Sequence, residues 1–155
     1  MIHNKIFISG HRNITEEAFK ANYIHHIQTY LNWARTSSLL DYKHLTFYIG
    51  DCIGCDTMAI NYITNYINEN HLDNVDIKLC MLTETFDGQN TTIYDNNFID
   101  IVKQFNTHEE RDCYMTENTT NDILWVREGE WASGTAQNFV RRHFHNKELN
   151  YFIML

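Results

Sequence analysis

The chain has no proline, six glycines and four cysteines in 155 residues, and its basic residues are outnumbered, twelve Lys+Arg against twenty Asp+Glu. The formal charge of −8 argues against a broad footprint on nucleic acid, which needs many basic contacts to phosphate. Any anion bound here must be held locally; only Arg141, Arg142 and Lys147 suggest a basic patch. No apolar run approaches the roughly 18 residues of a membrane span. The opening MIHNKIFISG has neither a charged segment ahead of a long apolar stretch nor a small-residue cleavage site, so a cytoplasmic protein without membrane contact is expected. Cysteines at 52, 55, 80 and 113 are too few for a disulfide scaffold and are expected as reduced thiols. No linker, repeat or low-complexity tract divides the chain, so residues 1–155 should form one domain.

What is present is an alternation of β-forming runs and helical patterns. KIFIS (5–9), LTFYI (45–49), VDIKLCML (75–82), DILWV (122–126) and LNYFIML (149–155) read as strands. From Glu16 to about Trp33, apolar Phe19, Tyr23, Ile27, Tyr30 and Leu31 recur at helical steps, as do Met58, Ala59, Tyr62, Ile63, Tyr66 and Ile67 after Gly54. Residues 83–106 are polar and irregular, with a short helix expected around Asn97–Phe105, and form the candidate lid or insertion. A helix from about His108 to Asn118 and another after WASGT complete the pattern. Strands alternating with helices predict a Rossmann-like, three-layer α/β/α fold with a mostly parallel sheet of about five strands.

In such folds ligands bind beyond the carboxyl ends of the strands, where loops lead into helix N-termini. Three glycine-bearing turns fall there: ISGHR, IGDCIGCD and WASGTA. Ser133-Gly134-Thr135 opens a helix, so free backbone N–H groups, hydroxyls and the helix dipole can converge on an anion, phosphate above all. The plain alternative is that Ser133 or Thr135 is only an N-cap. Gly10-His11-Arg12 brings a guanidinium to the same rim, suited to a bidentate phosphate or carboxylate contact. His11 is either an acid/base or stacking group, or an ordinary loop histidine.

Cys52 and Cys55 have the spacing of a zinc or redox pair, but no second pair exists to complete a zinc site. The flanking Asp51 and Asp56 should raise the thiol pKa values, against redox use. The competing reading gives Gly50 and Gly54 to a tight turn with close ligand approach, while Asp51 or Asp56 caps the next helix or binds a ribose hydroxyl. His25-His26 and His143 with His145 point to different helix faces and do not chelate. No metal or cofactor is expected. Among the aromatics, Trp131 sits on the loop where it could stack on a base; Trp125 alternates into the core.

Together, FISGHRNITEEAF, IGDCIGCDTMAINYI and ERDCYMTENTTNDILWVREGEWASGTAQNFVRRHF resemble the SLOG superfamily, the Rossmann-like domains that include DprA-type, YspA/YpsA-like and LOG proteins. The resemblance implies a nucleotide-type ligand at the strand ends and a homo-oligomer. It gives the phosphate loop to Ser133, Gly134 and Thr135, the first turn to Gly10 and Arg12, and the second to Gly50, Asp51, Gly54 and Asp56. Arg111 with Met115 looks like the family's R-x-x-x-M helix and would face the phosphate. LOG enzymes, which cleave N-glycosidic bonds of nucleoside monophosphates, carry a glutamate three residues after the phosphate-loop threonine, where this chain has Asn138. An amide cannot exchange a proton as a carboxylate does. The expectation is therefore a binding domain that senses or sequesters a nucleotide-derived ligand, ADP-ribose-like or cyclic. The alternative is an N-glycosidase in which Asp51, Asp56 or Glu130 supplies the carboxylate.

Overall fold

The computed structural model describes residues 1–144. It is a Rossmann-like, three-layer α/β fold around a five-stranded sheet in the order β4-β3-β2-β1-β5. The strands are β1 (Ile2–Ser9), β2 (Lys43–Gly50), β3 (Val75–Leu82), β4 (Ile99–Phe105) and β5 (Asn121–Leu124), and every pairing is parallel. The helices are α1 (Glu16–Phe19), α2 (His25–Arg35), α3 (Cys55–Asn70), α4 (His108–Asn118) and α5 (Gly134–Phe144).

Alternate residues of the strands face opposite layers. Ile6, Ile8, Leu45, Phe47, Ile49, Ile77 and Leu79 pack against Phe19, Tyr23, Ile27, Leu31, Ile60 and Ile63 of α1 to α3. Phe7, Tyr48, Cys80, Leu82 and Phe105 meet Met115 of α4 on the other face. Burial of these side chains, worth about 1.5–3 kcal/mol each, is the main force holding the layers together. Thr15 starts α1, its hydroxyl accepting from Ala18 N–H at 3.1 Å. Thr107 caps α4 through Glu110 N–H at 3.1 Å, and the Glu110 carboxylate returns to Asn106 N–H at 3.0 Å. This is a variant of the capping box of Thr-x-x-Glu, with the glutamate returning to the residue before the N-cap instead of to Thr107 itself.

Two expectations need correction, and a third cannot be compared. Residues 97–105, expected as a short helix, contain β4, which extends the sheet outward from β3 through pairs such as Lys78 and Asp100. The helix expected from Glu16 onward is interrupted by a π-helical turn, Lys20–Ile24, that swings the buried Tyr23 under the end of β1. The strand expected at 149–155 lies outside the described residues. Among the described residues the sheet has five strands, and β4 is the one not expected as a strand.

The chain adds strands outward from β1 through β2 and β3 to β4, then returns to the other side of β1 as β5. The β1/β5 junction is therefore the topological switch point, where the loops leaving two neighbouring strands part and open a crevice.

Candidate functional site

A cavity of about 540 Å³ lies at this switch point. Gly10, His11 and Arg12 after β1, Gly50 at the end of β2 with Cys52 and Asp56 beyond it, and Ser133, Gly134 and Thr135 around the start of α5 all line it. The three turns picked out in the sequence are thus brought together. Two of them interlock: Cys55 N–H donates to the His11 carbonyl at 3.1 Å. A Cβ on Gly10 would lie 2.3 Å from Cys55 Sγ and 2.6 Å from the Tyr23 hydroxyl oxygen. Tyr23 in turn donates to Ser9 O at 2.7 Å and accepts from Trp125 N–H at 3.0 Å, joining the ends of β1 and β5 beneath the cavity.

This packing accounts for Cys52 and Cys55. All four described cysteines are free. Burial, reinforced by Asp56, raises both thiols above their ordinary range, so neither is a ready thiolate. Among the described residues no three His, Cys, Asp or Glu side chains stand where they could hold a metal ion.

The acids differ sharply in availability. Asp51 is buried behind the cavity and accepts from Arg111 Nη1 at 2.6 Å, Leu82 N–H at 3.0 Å and Gln89 Nε2 at 3.2 Å. Its oxygens are committed to holding β2, β3 and α4 together. Arg111 sends Nε and Nη2 to Asp112 Oδ1 at 3.0 and 2.8 Å. Burial alone would lower the guanidinium's pKa; Asp112 and Asp56 outweigh it and raise it. Arg111 lines the cavity with Met115, but it is bonded to carboxylates. Asp56 lines the cavity as well, accepting from Cys52 N–H at 3.2 Å, and burial pushes its carboxyl up to about 7.

His11 is buried with both ring nitrogens engaged. Nδ1 stands 3.0 Å from Glu130 Oε2, and Nε2 accepts from Arg127 N–H at 3.1 Å. The bond at Nε2 assigns the proton to Nδ1. Burial lowers the imidazole pKa, with Glu130 pulling the other way, so His11 and Glu130 hold the loop after β5 against the first turn.

At the start of α5, Ser133 Oγ accepts from Ala136 N–H at 3.2 Å, so Ser133 is the N-cap. The cap leaves Gly134 and Thr135 on the cavity wall in the helix's first turn, whose amides have no intrahelical acceptor. Asn138, buried one turn further on, donates to Ser9 Oγ at 2.8 Å and Asp112 Oδ2 at 3.2 Å and accepts from Arg141 Nη1. Arg12 reaches across the rim to His108 Nε2 at 3.1 Å and Asp87 O at 3.4 Å.

Not every expected residue reaches the cavity. Gly54 and Asp51 support it from behind. Trp131 is 53% exposed and lines a separate shallow depression with Val140 and Phe144; a base in the main cavity has no stacking surface from it. Sequence reading missed Ser9, His108, Asp112 and Gln137, which also line the cavity. Only the capping signal at Thr107, which fixes His108 at the first position of α4, could have pointed to one of them.

Arg12, Arg111 and Arg141 share the wall with Asp56, Glu109, Asp112 and Glu130. The site therefore has no diffuse positive field. Anion affinity would come from the α5 amides, Arg12 and Arg141, with the polar floor suited to hydroxyls or further oxygens. No helix among the described residues is long and apolar enough to cross a membrane. No protein-family model, curated protein or solved structure matches the chain.

Proposed function

We propose that this chain is a SLOG-type domain that senses or sequesters a nucleotide-derived ligand, ADP-ribose-like or cyclic, at the β1/β5 switch point. The carrying observation is the convergence of all three glycine turns on one cavity of about 540 Å³ with the capped start of α5 in its wall. A phosphate fits against Gly134 and Thr135, where amides and the helix dipole contribute about 0.3–2 kcal/mol before side-chain hydrogen bonds are added. Arg12 and Arg141 are placed to supply those. Asn138, at the position where the resemblance expects a glutamate, is tied to Ser9, Asp112 and Arg141, which favours binding over turnover.

Native mass spectrometry of freshly purified protein is the test, with a nucleotide-sized adduct expected. A chain free of adducts that also fails to bind AMP or ADP-ribose on titration would refute the reading.

One observation favours an N-glycosidase as the second reading: the Asp56 carboxyl, titrating near 7 inside the cavity, has the proton affinity of a general acid. Chromatography of nucleoside monophosphates incubated with the protein separates the two readings. Free base released in a manner abolished by Asp56→Asn would establish the enzyme. The resemblance also implies a homo-oligomer, which light scattering on the eluting protein reads directly.

A further inference from the structure

Asp56 differs from the other buried acids around Arg111 in its cation. Arg111 gives Nη1 to Asp51 and both Nε and Nη2 to Asp112. Asp56 receives none of these bonds; among the described residues its one hydrogen bond is from Cys52 N–H to Oδ2. The groups facing it are Asp51 and Cys52 from the loop before α3, Cys55 from its own helix, Arg111 and Asp112 from α4 and Tyr23 from the π-helical turn. Arg12, His11, His108, Glu109, Glu130 and Arg141 stand around the wider cavity. Three buried carboxylates thus surround one buried guanidinium, and a third negative charge would be uncompensated, which is costly away from water. Burial accordingly drives the Asp56 carboxyl up to about 7; Asp112 and Asp51 add to this against the pull of Arg111 and the Cys52 amide.

We infer that Asp56 recognises the ligand as a carboxylic acid: Oδ2 stays on the Cys52 amide, and the protonated second oxygen donates a hydrogen bond to an unprotonated phosphate oxygen in the cavity. The inference rests on the reading of this cavity as a nucleotide site and assigns Asp56 the role of donor. It is the reverse of an ionised Asp56 accepting from a ribose hydroxyl, and the two roles carry opposite pH signs. A donor must hold its proton to bind, so affinity is full below about pH 7 and falls as pH rises through that value. An acceptor must lose it, so affinity would rise over the same interval.

Two measurements on the full chain test this. The first needs no ligand: carbon NMR titration of the aspartate carboxyls in wild type and Asp56→Asn. One carboxyl titrating near 7 and missing from the variant is expected. If every aspartate titrates below about 5, as unperturbed ones do, the inference is overturned. The second is calorimetric titration with ADP-ribose from about pH 6 to about pH 8.5, where its phosphate diesters keep their charge. Wild-type affinity is expected to fall about tenfold per pH unit above 7. Asp56→Asn keeps an acceptor for Cys52 N–H and a donor for the ligand, so it should bind within about twofold of wild type at pH 6, with a flat profile. Wild-type affinity that rises with pH, together with weaker binding by Asp56→Asn, overturns the donor role and leaves the nucleotide reading intact. A slope that persists in Asp56→Asn belongs to His108 or His11 and also overturns it. No ADP-ribose binding at any pH counts against the nucleotide reading itself, and the donor role falls with it.

Discussion

Gly54 and Arg12 approach so closely that a Cβ on residue 54 would lie 2.1 Å from the Arg12 carbonyl oxygen. The glycine also sits at φ 84°, where L side chains are strained. Sequence alone offers Gly54 as a turn former; the structure makes it the contact that seats the second glycine turn on the first. Gly54→Ala must both adopt that φ and push the turns apart. We expect it to lower unfolding free energy in urea by at least about 2 kcal/mol. Unchanged stability would mean that the turns are not interlocked.

Arg111 should be as critical for the floor. Removing it leaves Asp51 and Asp112 buried without their cation, a loss of about 3–5 kcal/mol for one broken buried pair. Arg111→Ala is expected to fall in that range by chemical denaturation. A loss of well under about 1 kcal/mol, the scale of exposed pairs, would show that the guanidinium is free to serve a ligand instead.

The architecture was readable where burial and periodicity coincide. β1, β2 and β3 are apolar runs because both of their faces are covered, and Ile27, Leu31, Ile60 and Ile63 keep helical spacing because one face of each helix is buried. β4 was not readable. As the edge strand it leaves Ile101 47% exposed and places Asp100 beside Lys78 across the ladder, so IDIVKQF has neither the continuous apolar run of a buried strand nor clean alternation. The glycine turns were legible because their position after strands limits where they can lie. The Asp51–Arg111–Asp112 cluster was not, since pairing over a separation of 60 residues leaves no local pattern. The side taken by Trp131 was not legible for a related reason: a loop position does not fix which side of the following helix the ring takes.

Asp56 makes stability depend on pH in the direction opposite to most carboxylates. Its folded pKa of about 7 lies above the ordinary 3.8, so between these values the folded chain holds a proton that the unfolded chain releases. Stability from this group is fully present below about pH 4 and declines as pH rises to about 7. The total is on the order of 4 kcal/mol at 1.36 kcal/mol per pKa unit. Asp56→Asn should remove this decline: the variant gains on wild type above pH 7 and loses the advantage near pH 4. Thermal unfolding of both proteins across that range decides it, and parallel curves would contradict the buried, uncompensated carboxyl.

Arg142 is fully buried and holds α5 in place. It donates Nη1 to Thr116 O at 3.1 Å and Thr119 O at 2.9 Å, and Nη2 to Asp122 Oδ1 at 2.6 Å. A lysine cannot reproduce this fork. Arg142→Lys is therefore expected to destabilise by about 1–3 kcal/mol and, by loosening α5, to weaken any phosphate contact at Gly134 and Thr135. Wild-type stability in urea would contradict that account.

The central claim is that three backbone turns jointly grip one phosphate-bearing ligand. Calorimetric titration of the full chain with ADP-ribose, comparing wild type with Arg12→Ala, Thr135→Ala and Trp131→Ala, tests it most directly. The account predicts saturable one-site binding by wild type and Trp131→Ala. Each of the other two substitutions should lose about tenfold or more, the worth of one charge-assisted hydrogen bond. Binding that survives both Arg12→Ala and Thr135→Ala, or that depends on Trp131, would contradict it.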